Sequence, residues 1–330
     1  MMVFSSILRK ELSDFYALRE ATLSKDTLAH DCTSLLVFDK YLADNGVSKK
    51  ELSEKVVSGW MQSLTVGKRT LVNKVVLIRL FARYLNSIGV KAFIPEIPKS
   101  ANDYVPYIFS DDELKSIFES SDNIVVVGNR ASCPHMKFEI PMILRMLYGC
   151  GLRISEALSL KIGDVDFDGG ILIMKYTKGD KQRLVPMHSS LTVMLRRYCL
   201  AMGLMGKTES PLFPSAAYDV PMQKYVVRDK FTNILRETDI SLKEKAKHKR
   251  GPCLHCFRHV FAFKSFAQAE RVGRTVDESV PYLSTYLGHE TLNGTEYYLR
   301  FSSDLFPDAL EQFEDYTLDI FPEAPEYEEE

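Results

Sequence analysis

Residues 149–158 read GCGLRISEAL, and this glycine-rich junction organises the second half of the chain. Apolar residues with helical spacing flank it on both sides, which predicts helices over 138–148 and 154–160 joined by a tight turn. Arg153 follows that turn at the start of the second helix, where its five donors can point into a cleft. Glu156 lies three residues further on, near enough to orient the guanidinium, although an ordinary surface ion pair has the same spacing.

Downstream of this junction the pattern predicts a β-hairpin inside a helical domain. The β-prone runs 170–176 and 182–187 are joined by a loop that contains Gly179, and Lys178 lies at its tip. A lysine at such a tip can reach a bound substrate, whereas most such loops are simply charged turns. Helical spacing continues over about 189–203, 222–237, 255–268, 279–287 and 291–299. The domain is therefore expected to be mostly helical, with one small β-hairpin or sheet.

The segment 255–259, His-Cys-Phe-Arg-His, places ionisable groups on one face of a predicted helix. His255, Arg258 and His259 share that face because residues three and four apart lie about one turn apart. Beside apolar neighbours such a cluster needs a negative partner, since burying an uncompensated charge is costly. A substrate anion could be that partner, and so could an internal Asp or Glu. His259 is the less specific member and is expected beside the site rather than in it.

A tyrosine follows a Leu-Gly-His tripeptide near the end of the helical region. The tripeptide ends at His289, and Tyr298 comes nine residues later on the helix predicted over 291–299. Tyr297 stands beside it. Because aromatic pairs near a helix end usually serve packing, this pattern alone assigns neither tyrosine a chemical role.

The first hundred residues show only helical patterns, which predicts a small helical bundle. One helix is expected over 26–45. Ser48 and Glu51 form a capping box that predicts a second helix running through Trp60. A third helix is expected over about 70–88. Basic residues in and just before it form either a solvated face or a surface that contacts DNA phosphates, and they are Lys68, Arg69, Lys74, Arg79 and Arg83.

Prolines and polar residues separate this bundle from the rest of the chain. Three prolines fall within 94–106, which predicts a linker and excludes a helix or a central strand there. Ser110 and Glu113 then form another capping box, which begins a new domain. We therefore expect a mainly α protein of two domains, a helical domain over 1–102 and a mostly helical domain with a small β element over 103–330.

The formal net charge of −2 averages two unlike parts of the chain. Residues 311–330 contain nine acidic and no basic residues, and the remaining 42 basic and 35 acidic residues give the body a charge near +7. Such a body can attract a polyanion, while the acidic tail repels one. A charge of this size is only weak support for nucleic-acid binding.

Cysteine use and hydropathy argue against several protein classes. Six scattered cysteines predict no disulfide framework. Cys253 and Cys256 form a C-x-x-C motif that could serve zinc or redox chemistry, but no second ligand pair has matching spacing, so no metal is expected. No apolar run reaches the length of a membrane helix. Residues 1–8 lack the charge pattern of a secretory signal, which predicts a cytoplasmic protein without a membrane partner.

Taken in order, these motifs resemble the signature of the tyrosine recombinases, the phage integrase family. That signature is an arginine, a hairpin lysine, His-x-x-Arg-His, Leu-Gly-His and a tyrosine, and the chain matches it over roughly 107–300. The first domain resembles the family's core-binding domain by helical pattern only. The resemblance implies that 1–102 binds DNA, that the linker lies at about 94–106, and that 103–330 is catalytic, with a C-terminal helix and an acidic tail.

The resemblance also implies a reaction. Tyr298, preferred to Tyr297 for its spacing from His289, would attack the scissile phosphate and form a 3′-phosphotyrosyl bond. Lys178, preferred to Lys181, would protonate the leaving 5′ oxygen.

Four further side chains would stabilise the charge on the non-bridging phosphate oxygens, and they are Arg153, His255, Arg258 and His289. Glu156 and His259 would lie next to these groups. No metal, cofactor or ATP is implied, because fixed cations and the covalent bond replace them.

Family members act as tetramers on two duplexes. The implied partners are double-stranded DNA with inverted-repeat recombination sites and a homotetramer in the synaptic complex, with the free protein a monomer. Residues 306–313 predict a short amphipathic helix that docks either on a neighbouring protomer or on its own domain. A type IB topoisomerase, which uses the same residue types, and a DNA-binding regulator without catalysis are the alternatives. Chromosome-dimer resolvases, transposon integrases and phage integrases all share the signature.

Overall fold

The computed structural model describes residues 4–99, 106–125, 135–175, 182–215, 219–238, 240 and 251–289. The chain divides into two compact units, Met1–Asp103 and Tyr104–Glu330. Both are built mainly from α-helices, as the sequence predicts. Among the described residues, no helix combines the length and the apolar character needed to cross a lipid bilayer.

In its described part, the first unit is a bundle of four helices: α1 Arg9–Glu20, α2 Lys25–Asp44, α3 Glu54–Ser63 and α4 Lys68–Ser87. Three aromatic rings fill its core. Phe38 meets Trp60 edge-on with ring centroids 5.0 Å apart and meets Phe81 at 6.4 Å, and all three side chains are buried. Rings of this size supply much of the apolar surface that a small bundle can bury. The helices predicted over 26–45 and 70–88 are confirmed to within two residues at each end.

The capping box predicted at Ser48 and Glu51 is wrong, because the helix begins only at Glu54. Before it, the backbone of Leu52 pairs with an extended segment. Its N–H donates to the carbonyl of residue 91 at 2.9 Å, and its carbonyl accepts from the N–H of residue 93 at 2.7 Å. This bridge buries the Leu52 side chain and occupies the backbone groups that a helix would need.

In its described part, the second unit is helical except for one small sheet. Its elements are α5 Asp111–Asp122, α6 Met136–Cys150, α7 Ile154–Ser159, β1 Val165–Asp166, β2 Ile171–Met174, β3 Arg183–Pro186, α8 Ser189–Ala201, α9 Lys224–Glu237, α10 Cys256–Arg271 and α11 Val276–Leu287. The capping box predicted at Ser110 and Glu113 is present at the start of α5.

The sheet has the order β1-β2-β3, with both pairs antiparallel. β2 and β3 form the predicted hairpin, and Met174 opposite Arg183 is the last pair before its loop. β1 was not predicted, because a strand of two residues is too short to show an alternating pattern.

α6 lies at the centre of the second unit and packs against α5, α8 and α10. Ile143, Leu144 and Leu147 are fully buried along it. This central position determines where the end of α6, with the glycine turn at Gly151, meets the first turns of α10. The candidate site lies at that meeting point.

Candidate active site

Three segments of the second unit meet at the glycine turn that follows α6. Arg153 caps the start of α7, and Arg258 lies in the first turn of α10. Gly288 ends α11 in a left-handed conformation, and His289 follows it directly. The structure thus brings together predicted site residues that are far apart in the sequence.

The carboxylate of Glu156 is shared by two arginines. Its Oε1 accepts from Nη1 of Arg153 at 2.8 Å and from Nη1 of Arg183 at 3.1 Å. Its Oε2 accepts from the backbone N–H of Arg153 at 2.8 Å and from Nη2 of Arg183 at 3.0 Å. Burial raises the pKa of Glu156, but the hydrogen bonds from both arginines outweigh it and hold that pKa below its ordinary value. Glu156 therefore stays ionised and fixes the direction of the Arg153 side chain.

Arg258 joins the glycine turn to the end of α11 from a position that is 1% exposed. Its Nη1 donates to the carbonyl of Gly151 at 2.8 Å, and its Nη2 donates to the carbonyl of Leu287 at 2.7 Å. Nη2 also lies 2.9 Å from Nε2 of His289, and Nη1 lies 3.9 Å from Oε2 of Glu156. Because one planar fork makes these contacts, the turn, the helix end and His289 are held in a fixed relation.

Two glycines are required at this junction. Gly151 has φ of +59° and Gly288 has φ of +67°, a region that side chains rarely adopt. A Cβ on Gly151 would lie 2.6 Å from Cδ1 of Phe261, and a Cβ on Gly288 would lie 2.8 Å from Nη1 of Arg183. The glycine of the Leu-Gly-His tripeptide therefore makes room for an arginine from β3.

The histidines of the cluster differ in exposure, and burial keeps two of them, His259 and His289, neutral. Burial and three neighbouring arginines lower the pKa of His289 to about 4. His259 is 4% exposed, and burial, followed by His255 and Arg258, lowers its pKa to about 3. His255 caps the start of α10 with an exposed side chain, and its ring meets that of His259 edge-on at a centroid distance of 4.7 Å. His255 is accessible to a ligand, while His259 lies beneath it.

The described part of the site carries a net positive charge. Within the described ranges, three arginines lie within salt-bridge distance of one carboxylate, that of Glu156. Arg153 is about one third exposed, so this positive charge reaches the surface. Guanidinium groups in a fixed arrangement favour a planar or tetrahedral oxyanion, and partial burial strengthens their field. The cluster can therefore bind a phosphate diester and stabilise charge that develops on its oxygens.

Two of the predicted catalytic residues lie outside the described residues. They are Lys178 in the hairpin loop and Tyr298 after α11. One residue of the cluster, Arg183, was not predicted to belong to the site. Its contacts are with residues distant in the sequence, so no local spacing marks it.

The basic residues predicted to face DNA lie on α4 of the first unit. By helical periodicity, an arc of about 100° contains Lys68, Arg69, Arg79 and Arg83. Lys74 falls outside that arc. Arg79 also donates through Nη1 to the carbonyl of Pro95 at 2.6 Å, so it supports the segment that follows the bundle.

The C-x-x-C motif flanks His255. The Sγ atoms of Cys253 and Cys256 lie 3.6 Å apart, and neither cysteine takes part in a disulfide. The hydrogen bond with Cys253 and burial raise the pKa of Cys256, which keeps it a thiol at neutral pH.

Known proteins resemble this chain along most of its length. The family model described as the phage integrase family matches residues 108–303. The tyrosine recombinase XerA of Pyrococcus horikoshii is 29% identical over 231 residues, which are 69% of this chain and 67% of that protein. The tyrosine recombinase XerD of Rickettsia conorii is 25% identical over 313 residues, 89% of this chain and 94% of that protein. A solved structure of a XerH site-specific recombinase bound to difH substrate shares the fold, with a TM-score of 0.65 at 16% identity over 90% of this chain and 93% of that one.

Proposed function

The chain belongs to the phage integrase family and is a site-specific tyrosine recombinase, and we propose that it cuts and rejoins DNA through a covalent bond between Tyr298 and a 3′ phosphate. The observation that supports the proposal is the fixed cluster of Arg153, Arg258 and the neutral His289 around Glu156. A phosphodiester under attack gathers negative charge on its non-bridging oxygens. Preorganised donors at that position lower the barrier by about 2.7–4 kcal/mol for each donor.

The proposed cleavage step exchanges one phosphodiester for another. The Oη atom of Tyr298 forms a bond to phosphorus, and the bond from phosphorus to the 5′ oxygen breaks. Lys178 gives its proton to that departing oxygen, which leaves as a free 5′ hydroxyl. Rejoining is the reverse attack by a 5′ hydroxyl on the phosphotyrosine, so the energy of the phosphodiester is kept and ATP is not needed.

Arg258, Arg153 and His255 each have a separate part in binding the phosphate. Arg258 is fully buried with its fork fixed, so it contributes a charge that does not reorganise during the reaction. Arg153 is partly exposed and is aimed by Glu156, so it contacts a non-bridging oxygen directly. His255 is exposed at the N-terminus of α10, where a second oxygen can accept from its ring and from the helix end.

The first unit serves to hold the duplex. Lys68, Arg69 and Arg83 are exposed on α4, and long basic side chains on a rigid helix neutralise backbone phosphates without reading the bases. Residues 1–102 are therefore the core-binding domain in this proposal, and 103–330 form the catalytic domain.

The DNA substrate and the number of protomers in the complex follow from the need to exchange strands between two duplexes. Exchange between two duplexes requires four cuts, so four protomers act on two inverted-repeat sites, and the protein works as a homotetramer in the synaptic complex. The solved relative XerH is bound to difH substrate, which supports a double-stranded DNA partner here. The proposed location is the cytoplasm, where the DNA of a mobile element or a chromosome is accessible.

Formation of a covalent adduct tests the proposal. Nicked duplexes are built on the sequence that the protein itself selects from a randomised library, and they are incubated with the protein in EDTA. We expect an adduct that survives denaturation with the wild type and with Tyr297→Phe but is absent with Tyr298→Phe. Binding without an adduct would identify a regulator that lacks catalysis. Relaxation of plasmids without any selected site would identify a topoisomerase.

A further inference from the structure

Arg183 occupies a position that the reaction scheme above does not use. It is the first residue of β3, opposite Met174, where the hairpin enters the loop that contains Lys178. Its side chain is 9% exposed although it carries a full charge. A buried arginine is retained only where its donors are satisfied.

Three separate elements meet on this side chain. Nη1 and Nη2 donate in parallel to the two oxygens of Glu156 at 3.1 and 3.0 Å, which joins β3 to α7. Nε donates to the carbonyl of Tyr286 at 2.9 Å, which joins β3 to α11. Gly288 lies directly against the guanidinium, so the backbone that leads into His289 rests on Arg183. A second bond, from the hydroxyl of Tyr286 to the carbonyl of Pro186 at 3.1 Å, holds the same two elements together.

These contacts leave Arg183 little capacity to bind substrate. Each of its three nitrogens donates to a protein oxygen, and its exposed fraction is small. Its two partners, Glu156 and the end of α11, in turn determine where Arg153 and His289 lie. A side chain that contacts the supports of two site residues acts on the reaction through them.

We propose that Arg183 is a positioning residue for strand cleavage: it fixes Glu156 and the backbone at Gly288, and thereby aims Arg153 and His289 at the scissile phosphate. This inference rests on the proposed function, in which Arg153 contacts that phosphate and His289 belongs to the cluster that binds it. Arg183 also keeps Glu156 ionised, because burial alone would raise the pKa of that carboxyl. Loss of Arg183 therefore changes the position of Glu156 and of the backbone at Gly288, and it also favours the uncharged form of Glu156.

The test compares three variants on the nicked duplexes described above. Arg183→Gln removes the charge, and Arg183→Lys keeps the charge without the planar fork. Arg196→Gln is the matched control, because Arg196 forms an exposed ion pair with Asp168 on the same unit. We expect Arg183→Gln to form adduct roughly 10²-fold more slowly, since small misplacements of catalytic groups cost about that much. Its affinity for the uncut duplex is expected to equal that of the wild type, and Arg196→Gln is expected to match the wild type in both.

The pH profile separates positioning from a general loss of stability. Without Arg183, the pKa of Glu156 rises because burial then meets fewer opposing hydrogen bonds, so the carboxyl is protonated more readily as the pH falls and releases Arg153. The adduct rate of Arg183→Gln should therefore fall more steeply than that of the wild type between pH 8.5 and pH 6. Arg183→Lys should restore the shape of the profile but not the full rate. The double variant Arg183→Gln with Glu156→Gln should lose the added pH dependence.

Arg183 could act through the groups that hold the non-bridging oxygens or through the hairpin lysine, Lys178. A change of leaving group distinguishes these two possibilities. A duplex with sulfur in place of the bridging 5′ oxygen releases a thiolate, which needs no proton, so it rescues a variant whose proton donor is lost. Lys178→Ala should be rescued on this substrate. Arg183→Gln should stay slow on it, because its defect lies in the groups that hold the non-bridging oxygens. Rescue of Arg183→Gln would overturn the inference, since Arg183 would then act through the hairpin lysine.

Two other results would also overturn it. One is wild-type cleavage with a wild-type pH profile in folded Arg183→Gln. The other is an equal loss of DNA affinity and of cleavage, which would make Arg183 a DNA ligand or a purely structural residue. Arg183→Lys answers the question if Arg183→Gln fails to fold. Failure of the proposed function is distinct, because it appears as an adduct that persists in Tyr298→Phe or as wild-type cleavage in Arg153→Ala.

Discussion

The Nη2 atom of Arg258 donates to Nε2 of His289 across 2.9 Å. An arginine can only donate, so Nε2 of His289 must accept, and the ring is neutral with its proton on Nδ1. Burial and the adjacent arginines favour the same state by lowering the pKa of His289 to about 4. The free protein thus keeps a neutral ring inside a cationic cluster. A bound phosphate would favour the protonated form.

Acidification is expected to destabilise the second unit between about pH 6.5 and pH 4. His289 and His259 have folded-state pKa values of about 4 and about 3, below the ordinary value of 6.5. In that window the unfolded chain binds protons that the folded protein excludes, so the stability of the fold is lost as the pH falls. Each histidine contributes at most about 1.4 kcal/mol per pH unit. Urea unfolding at several pH values measures the slope, which His259→Leu should reduce. An unchanged slope in His259→Leu would show that this ring titrates normally.

Replacing Glu139 with glutamine is expected to stabilise the protein, most of all at high pH. Glu139 is 2% exposed on α6, and its Oε1 has no hydrogen-bond partner within the described ranges. Burial raises its pKa to about 8, so the folded protein holds a proton that the unfolded chain releases above about pH 4.5. The stability of the wild type therefore falls as the pH rises through this range, and the gain from Glu139→Gln should grow to about 1–3 kcal/mol. Thermal unfolding at pH 6 and pH 9 measures it, with Glu119→Gln, an exposed position on α5, as the control. A destabilised Glu139→Gln would contradict the expectation.

Gly288→Ala is expected to harm both stability and cleavage, whereas Gly273→Ala should harm stability alone. Both glycines have positive φ, +67° and +76°, so alanine costs about 1 kcal/mol at either position. Only at 288 does the new Cβ also meet the guanidinium of Arg183, while at 273 no atom lies within 4 Å. Urea unfolding and adduct rates measure the difference between the two variants. Equal cleavage rates in both would show that the contact between Gly288 and Arg183 has no effect on the site.

Salt dependence of DNA affinity is expected to identify the face of α4 that contacts the duplex. Lys68→Ala and Arg83→Ala should each lower the slope of log affinity against log salt by about 0.9, the value for one lost phosphate contact. Lys74→Ala is the matched control, because Lys74 lies outside the arc shared by the other basic residues. Fluorescence anisotropy with the selected duplex at several salt concentrations gives the slopes. The face is wrongly assigned if Lys74→Ala changes the slope as much as Lys68→Ala does.

Local patterns predicted the helices well, because the apolar residues of an amphipathic helix recur about every 3.6 residues along the sequence. α4, α6 and α11 all lie where apolar spacing indicated them. The start of α3 was missed for a non-local reason. A backbone bridge from Leu52 to a segment some forty residues later overrides the capping signal of Ser48 and Glu51.

The candidate site likewise combines local contacts, which the sequence predicts, with contacts between distant residues, which it does not. The pairing of Arg153 with Glu156 is local, with a spacing of three residues, and could be expected from the sequence. Arg183 could not, because its acceptor Tyr286 is 103 residues away and its packing partner Gly288 lies just beyond it. The neutral state of His289 likewise depends on its burial and on three arginines that lie far apart in the sequence, Arg153, Arg183 and Arg258.

Identifying the residue that is covalently bound to the cleaved DNA strand tests the proposed mechanism most directly. The covalent complex formed by the wild type in EDTA is digested with nuclease and trypsin, and the peptide over 275–300, which contains both Tyr297 and Tyr298, is fragmented in a mass spectrometer. The predicted result is a nucleotide attached through a 3′ phosphate to Tyr298. A nucleotide on Tyr297, on any other residue, or joined through a 5′ phosphate would contradict the proposed mechanism.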